Sequence, residues 1–133
     1  AAPSPERVMG TAEVARLKRL VREVPVAAPV RDYAIRLALA TRPGSPGATA
    51  LVNRYVRYGS SPRGPQALVL GAKARALFDG RLAAGCEDVR AVALPALRHR
   101  LLLNFEGEAE GVATERIVED VLANVPLPEG APA

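Results

Sequence analysis

The segment Tyr58-Gly59-Ser60-Ser61-Pro62-Arg63-Gly64 reads as the entrance to a helix. Serine is a favoured N-cap, and proline is favoured at the first helical position because its missing N–H would find no partner there. If Ser61 caps and Pro62 opens the helix, Pro65 falls at the fourth position and removes a backbone bond. The alternative is a start at Pro65, with Arg63 on the loop before it. A cation at the positive end of a helix is mildly unfavourable unless an anion joins it. Gly59 and Gly64 clear side chains from the backbone on either side. These residue types suit a phosphate-sized anion held by one arginine, with a plain N-cap and a solvated arginine as the alternative.

Working outward, the helix behind Arg63 should run to about Phe78, burying Leu70, Ala74, Leu77 and Phe78, and end at Asp79-Gly80. Upstream, a helix over about 12–23 places Val14, Leu17, Leu20, Val21 and Val24 on one face, and Pro25 stops it. A second, over about 29–41, repeats Val30, Tyr33, Ala34, Leu37 and Thr41 at the same period. Arg42-Pro43-Gly44-Ser45-Pro46-Gly47 is a surface loop. Residues 51–58 read either as a short extended piece or as a helical turn. Downstream, a helix from near Glu87 turns Val89, Val92, Ala93 and Leu97 inward, and Pro95 should kink or split it. Residues 101–105 suit a short strand or buried extension, and 106–111 a polar turn or hairpin tip. A last helix over about 114–124, capped by Thr114, carries Ile117, Val118, Val121, Leu122 and Val125 on one stripe. The fold class expected is all-α: a bundle of about five helices, with room for a short β-hairpin near residues 101–113.

Composition agrees. The 133 residues are 49% hydrophobic but only 4% aromatic, which suits one alanine-rich helical domain with a modest core. The single cysteine, Cys86, allows no internal disulfide and suits a reducing compartment. No apolar run approaches the length of a membrane span, so the expected setting is soluble and cytoplasmic. The net charge of +4 is unevenly spread: residues 1–105 hold 17 Lys and Arg against 7 Asp and Glu, and residues 106–133 hold 1 against 7. The acidic end can fold back onto the basic body.

Tyr58-Gly59-Ser60-Ser61-Pro62-Arg63 resembles the sensor-2 motif of MoxR-type AAA+ ATPases. Val24-Pro25-Val26, Asp32-Tyr33-Ala34 with Leu37 and Thr41-Arg42, then Glu87-Asp88-Val89 and Leu97-Arg98-His99-Arg100-Leu101, follow the family's order and spacing. Over residues 7–125 the chain is similar to the C-terminal helical lid of such an ATPase. The resemblance implies residues 1–10 as a linker from an upstream AAA+ core, 11–125 as the lid and 126–133 as a flexible tail. It implies Arg63 as the catalytic sensor arginine, with Ser61, Pro62 and Arg63 at the nucleotide, ATP with magnesium bound mainly by that core, and Cys86 at a variable position of little structural consequence. Ring assembly, a chaperone-like role in maturing protein complexes and von Willebrand factor A-type partner proteins follow from the same family.

The chain carries no Gly-x-x-x-x-Gly-Lys-Ser/Thr loop, and its two lysines, Lys18 and Lys73, follow no such pattern. It is therefore not expected to hydrolyse ATP alone, and no metal-ligand set is expected. His99, the only histidine, can form no histidine pair and is read as structural. Arg98 and Arg100 suit a nucleotide, a neighbouring subunit or the acidic tail. Arg54 and Arg57 interleave with Tyr55 and Tyr58, a pattern that can stack nucleobases. A small basic nucleic-acid-binding module is thus the alternative reading. Against it, the chain holds one glutamine and three scattered asparagines, too few for base readout from one helix face. A pure interaction domain is a third possibility.

Overall fold

The structure, a computed structural model, describes residues 1–131 and 133; Pro132, in the expected tail, lies outside the described residues. It holds seven α-helices among the described residues: α1 Thr11–Glu23, α2 Ala28–Ala40, α3 Ala50–Tyr55, α4 Arg63–Phe78, α5 Cys86–Leu97, α6 Phe105–Ala109 and α7 Thr114–Asn124. Two short strands, β1 Val56–Tyr58 and β2 Leu102–Leu103, pair antiparallel.

The all-α expectation is borne out, with two short helices more than the five counted from periodicity. One is α3, where helix and strand both fitted: the segment is a helical turn capped by the Thr49 side chain and then an extended piece. The other is α6, which replaces the polar turn at 106–111. Asn104 starts it, its side chain accepting from Gly107 N–H at 2.9 Å. Strand β2 therefore finds its partner across the fold in β1, not in the residues just after it.

The core is built where α2, α4, α5 and α7 meet. On α2 every residue of the expected stripe is buried, Thr41 included. On α7, Ile117, Val118, Val121 and Val125 are buried and Leu122 is half-buried. Thr114 is the first residue of α7, and Ala113 occupies the cap position.

Helix α4 departs from its expected face. Gly64, Leu68, Ala72 and Ala76 point inward, while Leu70 and Phe78 are 46% and 79% exposed. The inward positions recur every four residues and three of the four carry almost no side chain, which lets α4 lie close against α5. A Cβ on Gly71 would already stand 3.1 Å from Val92 Cγ2. Close backbone approach, not side-chain bulk, chose the phase.

Pro95 sits inside α5 without splitting it, near the end of the helix, and a 3-10 turn over Arg98–Arg100 follows. Cys86 is buried at the start of α5, and burial raises its thiol pKa, so it is a core residue and not the inconsequential one expected. Helix α1 buries none of its own residues; Val24 just beyond it is buried, Leu17, Leu20 and Val21 are half-buried, and Val14 is exposed.

Candidate functional site: the Arg63 entrance

Arg63 is the first residue of α4, and Pro62 before it already has helical angles, φ −55° and ψ −16°. The helix thus starts between the two alternatives the sequence offered. Pro65 then occupies the third helical position, whose N–H has no intrahelical acceptor, so its ring costs no backbone bond. Of the other donors at this end, Gly64 N–H bonds Ser61 C=O at 2.8 Å and Arg63 N–H reaches Ser61 Oγ at 3.4 Å. Pro62 has none. The helix end accordingly offers an anion few free amides, and the attraction rests on the guanidinium.

That guanidinium is exposed and takes part in no salt bridge or side-chain hydrogen bond among the described residues. Ser61 and Pro62 are exposed beside it, whereas Ser60 is fully buried. Its backbone is held by α2: Ser60 N–H donates to Thr41 Oγ1 at 2.8 Å, and Arg42 Nε donates to Ser60 C=O at 3.0 Å. A Cβ on Gly59 would strike the Thr41 carbonyl, and one on Gly64 would strike Ser60 Oγ. The two glycines are needed for close packing, with no positive φ at either.

The end of α5 lies beside this entrance, since Leu97 Cδ2 is among the atoms nearest a Cβ on Gly64, and the 3-10 turn continues from it. Arg100 Nε donates to Ala96 C=O at 2.8 Å and closes the end of α5. Arg98 is 3.9 Å from Glu115, a loose, exposed pair. His99 is exposed. Of the destinations open to Arg98 and Arg100, the structure gives the first the acidic end of the chain and the second its own helix.

The aromatic–basic interleave is otherwise committed. Tyr55 is buried, and its hydroxyl donates to Glu110 at 2.7 Å, a bond that raises its pKa ahead of burial. Arg54 bonds Glu106 at 2.8 Å and lies over the Tyr55 ring, 4.9 Å from its centroid. Arg57 covers Tyr58 at 5.1 Å. A stacking platform needs bare aromatic faces, and here each arginine takes the ring of its neighbour. The acidic segment does fold back onto the basic body through Glu106, Glu110 and Glu115.

Asp88, in the first turn of α5, does more than complement the helix dipole. It is buried, accepts Gly85 N–H at 2.9 Å, and receives Arg81 at 2.7 and 2.5 Å and Arg75 Nε at 3.2 Å. Its carboxyl pKa is lowered, chiefly by the Arg81 hydrogen bonds. The sequence showed the acid but not its partners, because Arg75 belongs to α4 and Arg81 to the loop after it. No group of three or more His, Cys, Asp or Glu among the described residues could hold a metal.

The model of the AAA lid domain family matches residues 48–121, more than half of the chain. The chain belongs to the AAA lid domain family, and it is similar to MoxR proteins. The lid is 30% identical over 127 residues to chaperone MoxR1 of Mycobacterium tuberculosis, an alignment spanning 96% of this chain and 34% of that protein. It is 37% identical over 105 residues to protein MoxR of Paracoccus denitrificans, covering 74% and 31% respectively. A crystal structure of an ATPase candidate from Cytophaga hutchinsonii superposes with a TM-score of 0.83 at 33% identity, over 89% of the lid and 36% of that chain. The lid thus spans about a third of the length of the relatives it matches. Among the described residues no helix is long and apolar enough to cross a membrane.

Proposed function

We propose that this domain closes over ATP held by an AAA+ core and contributes Arg63 as the sensor-2 arginine. The observation that carries the reading is the contrast at the α4 entrance: the backbone of residues 59–64 is pinned, yet the Arg63 guanidinium is exposed and unpaired among the described residues. A fixed base with a free charged fork suits a group that meets its partner only when another domain closes on it. The residues present fit a phosphate through that fork, with Ser61 and Pro62 shaping the approach and contributing few donors. ATP with magnesium, bound mainly by the core, supplies the γ-phosphoryl group; Arg63 stabilises the charge that builds on its oxygens. In this scheme residues 1–10 link the core to the lid at 11–125, and 126–133 form a tail. Ring assembly, chaperone-like action on protein complexes, von Willebrand factor A-type partners and a cytoplasmic setting belong to the same proposal, which the relatives named as MoxR proteins support.

The test is steady-state ATP hydrolysis by the intact ATPase carrying Arg63→Ala. Loss of one preorganised donor to a transferring phosphoryl group costs about 3 kcal/mol, or on the order of a hundredfold in rate. The exposed side chain should cost under about 1 kcal/mol of stability on truncation. Arg63→Lys should recover only part of the turnover, since an ammonium lacks the planar fork. Unchanged turnover in a folded Arg63→Ala enzyme refutes the reading.

A further inference from the structure

We propose that Thr41 and Arg42, the two residues that follow α2, are positioning residues for the Arg63 guanidinium. The inference rests on the sensor-2 reading and adds to it the elements that hold the arginine in place.

Residue 60 is gripped by both of its backbone polar groups. Its N–H donates to Thr41 Oγ1 at 2.8 Å, and its C=O accepts from Arg42 Nε at 3.0 Å. Thr41 is fully buried and its hydroxyl proton is already committed, donating to Ala38 C=O at 2.6 Å. The hydroxyl is therefore oriented by α2 with its lone pairs presented to Ser60. These are long-range ties between residues 18 and 19 apart in sequence, and they fasten the loop to the last turn of a core helix. On the far side, Gly64 packs over Ser60 Oγ, with Leu97 Cδ2 3.3 Å from where its Cβ would stand. The loop is held between α2 and α5, and Arg63 leaves it exposed, its guanidinium free of salt bridges among the described residues. A phosphate-directed group needs its base fixed, because displacement of about 1 Å can cost roughly a hundredfold in rate.

Neither residue is assigned a phosphate contact. Thr41 is buried away from solvent, and Arg42 is half-buried with its Nε turned to Ser60. Both should act only through Arg63, a requirement that a double-mutant cycle measures.

The experiment compares ATP hydrolysis by the intact ATPase for Arg42→Gln, Thr41→Val and Thr41→Ser, each alone and combined with Arg63→Ala, with a thermal melt of every variant. Thr41→Val keeps the shape but leaves Ser60 N–H buried without an acceptor; Thr41→Ser restores it. Thr41→Val and Arg42→Gln should each lower kcat roughly tenfold, with a smaller change in KM for ATP, as expected for an interaction felt mainly in the transition state. Thr41→Ser should stay within about twofold of the parent, because it retains the acceptor. In the Arg63→Ala background none should lower kcat further. An equal tenfold loss in that background means that the residue acts by itself, and overturns the proposal. Normal turnover in folded Arg42→Gln and Thr41→Val, beside a slow Arg63→Ala, also overturns it while leaving the sensor-2 reading intact. Normal turnover in Arg63→Ala removes that reading itself. If Thr41→Val fails to fold, the Arg42→Gln cycle decides, since that side chain is only half-buried.

Discussion

Replacing Asp88 with asparagine should destabilise this lid far more than an acid at a helix start would suggest. The carboxylate is 2% exposed, caps α5 through Gly85 N–H, and takes two contacts from Arg81 and one from Arg75. Asparagine keeps the size but removes the charge and puts an NH2 where an acceptor stood. Loss of the cap alone costs about 1 kcal/mol. Breaking a fully buried ion pair from one side costs about 3–5 kcal/mol. Here the arginines are 41% and 50% exposed and can rehydrate, so the lower part of that range is the ceiling. About 2–3 kcal/mol follows for the whole substitution, which in a domain of this size lowers Tm by roughly 8–12 °C. The assay is thermal melting by circular dichroism at pH 7 for parent and Asp88→Asn. The sign with pH is fixed by the lowered carboxyl pKa. A depressed folded value means that the stabilisation is complete above the ordinary aspartate value of 3.8 and fades as pH falls below it toward the folded one. The gap between the two proteins should therefore narrow below about pH 4, as Asp88 protonates in the parent. A Tm difference under about 2 °C at pH 7, or a gap that widens in acid, would refute the reasoning.

Two further outcomes follow from the packing of α4 and its entrance. Leu68→Ala should cost about 2–4 kcal/mol and Leu70→Ala under about 0.5 kcal/mol in chemical denaturation, although the leucines are two residues apart; similar costs would mean that the helix phase is wrong. Gly59→Ala should cost about 1–3 kcal/mol, because its Cβ would meet backbone atoms of Thr41 and Arg42 that cannot rotate away. A Gly59→Ala protein that melts with the parent would show that the loop does not lie against α2.

The residues by themselves determined a good deal of this protein. The stripes on α2 and α7 were legible because large apolar side chains recur there with the helical period and little else competes for the inner face. The approximate place of the α4 entrance could be read from Ser-Pro-Arg, although the helix starts at Arg63 with Pro62 in the cap position, between the two starts that cap chemistry offered, and the folding-back of the acidic end could be read from charge alone. Tertiary structure decided the rest. The phase of α4 was hidden because Gly64, Ala72 and Ala76 look neutral by type, yet small residues are what close helix–helix contact requires; Leu70 and Phe78, apolar by type, were left outside. The pairing of β1 with β2, the arginines around Asp88 and the grip of Thr41 and Arg42 on Ser60 each join segments far apart in the chain or on different elements. Local propensity acts over a few residues, so whether Arg63 stands on a flexible or a fastened base is settled only when the last turn of α2 meets the loop before α4.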